Sequence, residues 1–115
     1  MTRTNFCWQY ENITMVRGDT LAFNAEIFDE NGDPVTVDSA QFTCKKNPLG
    51  SETVFHKTLG SGITQSDGML TVRVAPEDTK EADAGEYMYD FQIGIDHDIY
   101  TIKLGTLSIL QDVTF

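Results

Sequence analysis

Basic side chains are scarce in this sequence. Lysine and arginine total 8 against 18 aspartates and glutamates, for a net charge of −10 at pH 7. Such a surface repels phosphate backbones and anionic lipid, so no nucleic acid and no membrane is expected as a partner. A charged partner should instead be basic. Cysteine is nearly absent as well. Cys7 and Cys44 are too few for a disulfide framework. Both are expected as free thiols, consistent with a reducing compartment. No apolar run approaches the ~20 residues of a membrane span. Met1-Thr2-Arg3-Thr4-Asn5 is not followed by an apolar stretch of signal-peptide type. The expectation is therefore a protein kept in a cytoplasm or released by a route other than secretion. Histidine is limited to His56 and His97. There is no Gly-x-Ser-x-Gly elbow and no glycine-rich phosphate loop. No catalytic, cofactor-binding or metal-binding set is assigned, and an enzyme is not expected.

What the sequence does contain is alternation. A length of 115 residues fits one domain. Apolar side chains recur at every second position and are interrupted by turn residues every ten or so positions, the pattern of an all-β sandwich or barrel. Leu21, Phe23, Ala25 and Ile27 form one such series, and Ala40, Phe42 and Cys44 the next. Leu70, Val72 and Val74 follow the turn Ser66-Asp67-Gly68. The clearest series is Tyr87, Tyr89, Phe91, Ile93 and Ile95. After Asp96-His97-Asp98, Tyr100, Ile102 and Leu104 lie on one parity and Leu107 and Ile109 on the other. A β-bulge at Gly105 would return both sets to one face. Residues 53–59 read as an edge strand or none. Helix is nearly absent; only 76–82 suits one or two turns, with Pro76 at the start and acids in the first turn. The expected core includes Phe23, Ile27, Phe42, Val72, Tyr87, Phe91, Ile93, Ile102 and Leu104.

Residues 1–11 stand apart from the domain at 12–115. Phe6, Trp8 and Tyr10 alternate with Cys7 and Gln9. They read as a first strand packed on the core, because Trp and Tyr bury their rings. The second reading is an arm that adds to a neighbouring sheet edge, which makes these three the candidate partner-binding residues.

Several short patterns carry a chemical and a plainer reading. Arg17-Gly18-Asp19 matches an integrin-binding tripeptide, but Gly18 between two strands is better explained as a turn. Asp29, Asn31 and Asp33 have the spacing that opens a calcium loop. Gly32 is misplaced for that role and Ala40 stands where a glutamate is needed, so a hairpin turn is preferred. His97 between Asp96 and Asp98 reads as a polar turn before a metal site.

Asp83-Ala84-Gly85-Glu86-Tyr87-Met88-Tyr89 resembles the Asp-x-Gly-x-Tyr-x-Cys stretch of immunoglobulin domains, with Tyr89 at the cysteine position. The resemblance makes Tyr87 a structural tyrosine corner and implies an immunoglobulin-like antiparallel β-sandwich of about seven strands. The order Arg17-Gly18-Asp19-Thr20, then Pro76-Glu77-Asp78-Thr79, then Gly85-Glu86-Tyr87-Met88-Tyr89-Asp90 is similar to immunoglobulin-like virion structural proteins of tailed bacteriophages. These include the N-terminal domain of baseplate upper proteins. The likeness runs from Ile13 to Thr114. It implies a non-enzymatic tail or baseplate component, located in the virion, that contacts other virion proteins or copies of itself. The alternatives are a carbohydrate- or cell-surface-binding module and a capsid decoration protein.

Overall fold

In the computed structural model, residues 9–47, 50 and 52–113 are described. Phe6, Cys7 and Trp8 lie outside them. The strands in chain order are β1 Gln9–Tyr10, β2 Ile13–Val16, β3 Leu21–Glu26, β4 Ser39–Lys45, β5 Thr53–Leu59, β6 Gly62–Ser66, β7 Met69–Val74, β8 Gly85–Ile95 and β9 Asp98–Leu110. One helical turn, α1 Pro76–Thr79, links β7 to β8. The hydrogen-bonded path runs β1-β9-β8-β4-β5-β6-β7-β3, with β2 also on β9.

This path folds over between β5 and β6, at the tight loop Gly60–Ser61, where Ser61 N donates to Thr58 O at 2.8 Å. A front layer of β1 and β2, β9, β8, β4 and β5 thereby faces a back layer of β6, β7 and β3. Phe23 of the back layer meets Phe42 and Phe91 of the front layer edge-on, with ring centroids 5.2 and 5.9 Å apart. The result is an all-β, immunoglobulin-like sandwich. Besides a short parallel pairing of β5 with β6, Thr58 opposite Gly62 and Leu59 opposite Ile63, two details differ from the expected seven antiparallel strands. The first strand is interrupted: β1 and β2 both pair parallel with β9 at one offset, Gln9 opposite Lys103 and Ile13 opposite Leu107, with Glu11–Asn12 between them. The second is β6, a strand with only one apolar residue on its inner face, Ile63, which left little alternation to read.

Phe42, Cys44, Val72, Phe91 and Ile93 are fully enclosed, and Ile27 and Tyr87 nearly so. Phe23 and Ile102 pack against them from the margin. Burial pushes the Cys44 thiol up to about 12. The Tyr87 hydroxyl donates to the Asp83 carbonyl at 2.6 Å, tying the chain before β8 to the strand itself. At α1, the Asp78 carboxylate accepts from Ala75 N at 2.7 Å and pairs with Lys57 Nζ at 2.7 Å.

The bulge in β9 falls at Ile102, not Gly105. Phe91 pairs with Lys103 and Gln92 with Thr101, leaving Ile102 as the extra residue. Parity therefore changes three residues earlier than expected. Tyr100, Leu107 and Ile109 do share the inner face, but Lys103 joins them and Leu104 turns outward. The Lys103 ammonium sits 4.8 Å from the Phe23 ring centroid and 2.9 Å from Glu11 Oε2. Gly105 has a different task. A Cβ there would strike the Glu11 carbonyl, which swings in at the break between β1 and β2. The same carbonyl accepts from the Tyr89 hydroxyl at 2.7 Å. Tyr89, at the position of the immunoglobulin cysteine, thus anchors the first strand by a hydrogen bond.

Candidate interaction face

Three of the patterns singled out in the sequence are consumed by the fold. Arg17 is held by Asp112, with Nε and NH2 each 2.8 Å from Oδ1. Its NH1 reaches the Ala82 carbonyl at 3.3 Å. Gly18 takes φ +83° in the turn before β3, and its N–H donates to the buried Thr79 hydroxyl at 2.9 Å. The tripeptide is a clamp between β2, α1 and the end of β9. At Asp29, one carboxylate oxygen accepts from Asn31 N at 2.9 Å and Asp33 N at 3.0 Å, so the loop is closed by its own backbone. Asp96 and His97 both take positive φ, 51° and 72°, and form the hairpin turn between β8 and β9. Among the described residues, no group of three His, Cys, Asp or Glu side chains is placed to hold a metal ion.

The outer face of the front layer has the character of a contact surface. Side chains alternate across a strand, so the register fixes which residues share this face. One row crosses the sheet as Tyr10, Leu104, Asp90, Thr43 and His56. The next row toward the β9 C-terminus brings Met88 beside Lys45, and further along lies Leu110, paired to Val16. Toward the other end, Ile99 stands opposite Gly94. Tyr10 and Ile99 are each 60% exposed and Leu110 is 49% exposed. Large exposed apolar side chains therefore follow the length of β9 on one side, while Phe28 and Val113 are off it at loops. The remaining positions are mostly Thr, Gln and Ser, such as Gln41, Gln92 and Thr101, with the exposed carboxylate of Glu86 opposite Ser108.

Beside Leu104 the face carries a shallow cavity of about 230 Å3, lined by Thr43, Lys45, Met88, Tyr89, Asp90 and Leu104. Burial raises the Asp90 carboxyl above the usual range, and Lys45 and His56 pull it back by a smaller amount. Among the described residues, Asp90 and Lys45 make no side-chain hydrogen bond and no ion pair with each other or with another residue.

Of the aromatic residues expected to bind a partner, Tyr10 is on this face, exposed rather than packed in the core. Its backbone is a strand, but the parity that buries Lys103 sends Tyr10 outward. Phe6 and Trp8 lie outside the described residues. Ile99 and Leu110 follow the alternation with Tyr100 and Ile109, whereas Leu104, expected in the core, is turned outward by the bulge, and no sequence signal marks Ile102 as its site.

No protein-family profile matches the chain, and no curated protein matches it. Among solved structures it is similar to a family 123 glycoside hydrolase from Clostridium perfringens, at 12% sequence identity with a TM-score of 0.41, over 92% of this chain and 24% of that one. The chain thus spans about a quarter of the length of that enzyme.

Proposed function

We propose that the protein is a non-enzymatic structural component of a tailed-phage virion, at the tail or baseplate, and that it works through protein–protein contact on the outer face of the front layer. The observation that carries the contact reading is the alignment of Tyr10, Ile99, Leu104 and Leu110 on one sheet face. Interfaces place apolar and aromatic side chains at the centre and polar groups at the rim. This face has that composition, within a chain of net charge −10 whose carboxylates lie mostly in loops. The virion assignment draws on the resemblance of the Arg-Gly-Asp-Thr, Pro-Glu-Asp-Thr and Gly-x-Tyr-x-Tyr-Asp segments. Arg17 and Asp29, from two of the short patterns, spend their side chains on holding the fold, which fits a structural role.

The test is location in particles. Purified virions of the phage encoding this chain are to be probed by quantitative mass spectrometry and by antibody labelling in electron microscopy. A fixed copy number and labelling at the tail or baseplate are expected. Absence from purified particles overturns the virion reading, and labelling on the head transfers the chain to capsid decoration.

A further inference from the structure

The contact face is self-complementary, and we infer that its partner is a second copy of this chain, docked face to face about a two-fold axis that passes between Asp90 and Lys45. The inference rests on the contact-face reading above and names the occupant. In an isologous pair, each residue of the patch meets a counterpart from the same patch, so charges must come as an opposite-signed pair on one surface. Asp90 and Lys45 supply that pair. They stand on neighbouring strands, β8 and β4, one row apart, since Asp90 pairs with Thr43 and Lys45 with Met88. Within one copy neither closes an ion pair among the described residues. An axis in the plane of the sheet between them sets each carboxylate against the other copy's ammonium, and both pairs lie beside the apolar row of Leu104 and Tyr10.

The size of the face also fits a second copy. The strands of the front layer, at ~3.3 Å per residue and ~4.8 Å spacing, give a face of roughly 700 Å2. That is close to the ~800 Å2 each partner contributes to a stable interface.

Solution mass by size-exclusion chromatography with light scattering, over a concentration range, tests this in the full chain. The wild type is expected to be a dimer that dissociates on dilution. Asp90→Lys and Lys45→Asp should each weaken it by about tenfold or more, and the double charge swap should restore it. Leu104→Arg, on the same face and away from the core, should also give a monomer. Circular dichroism establishes that each variant is folded. A wild-type monomer at all concentrations overturns the inference, as does a dimer that the four variants leave unchanged. A monomer that is nonetheless present at the tail of particles leaves the assembly role standing and assigns the face to a different protein.

Discussion

Tyr87 shows what one residue contributes. Its ring is in the core and its hydroxyl spans from β8 to the Asp83 carbonyl. Tyr87→Phe removes one hydrogen bond without opening a cavity, so stability should fall by about 1 kcal/mol, read as a lower midpoint in urea with an unchanged slope. Tyr89 makes the same kind of bond to Glu11, and burial, with Glu11 and Tyr10 nearby, pushes its hydroxyl up to about 12. In the unfolded chain it returns to its ordinary value of 10.0. The folded protein therefore holds this proton more tightly. The stabilisation is complete below pH 10.0 and is lost as pH rises toward about 12. An alkaline titration followed by phenolate absorbance should show late-titrating tyrosine, since burial raises Tyr87 as well, and Tyr89→Phe should remove one such group. Tyr87 was legible as a corner because its motif lies within a few residues. The Tyr89 bond was not, since its acceptor is 78 positions away.

At the scale of the element, the first strand is held from three directions. β9 supplies the parallel ladder, Tyr89 bonds the Glu11 carbonyl, and Lys103 pairs with the Glu11 carboxylate. Gly105 makes room for that carbonyl. Gly105→Ala should push Glu11 away and cost about 1–3 kcal/mol, as overpacking does. Hydrogen exchange should quicken in residues 9–12 and stay slow in β4 and β8. The sequence located β3, β4, β7, β8 and β9 because their alternation is strong. It placed the β9 bulge at the glycine, since glycine is the residue most often needed at such a kink. The chain bulges at Ile102 instead, and the cation–π contact of Lys103 with Phe23 accompanies the inward turn of a charged side chain. Parity alone cannot report that, because a single extra residue inverts every side chain beyond it.

For the whole molecule, charge and shape act together. Two copies of a chain of net charge −10 repel each other at long range. Salt shortens the reach of that repulsion to about 8 Å at physiological ionic strength. Dimer formation should therefore tighten from low salt to ~0.15 M. It should then weaken at higher concentrations, where screening reaches the Asp90–Lys45 pairs. Sedimentation over a salt series checks this. A monotonic weakening would mean that the Asp90–Lys45 attraction dominates over the net repulsion.

The sequence by itself determined the fold class, most of the core and the tyrosine corner. All three depend on local spacing: alternation at period two, turn residues between strands, and a motif contained in seven positions. It also set the acidic balance that disfavours phosphate-bearing partners. The tertiary structure decided which way the strands present their sides. The bulge at Ile102 brought Lys103 in and Leu104 out, and the parallel pairing of β1 with β9 laid Tyr10 next to Leu104. A contact face is assembled from five strand positions distant in the chain, so its apolar row and its Asp90 and Lys45 come together only when the register is fixed.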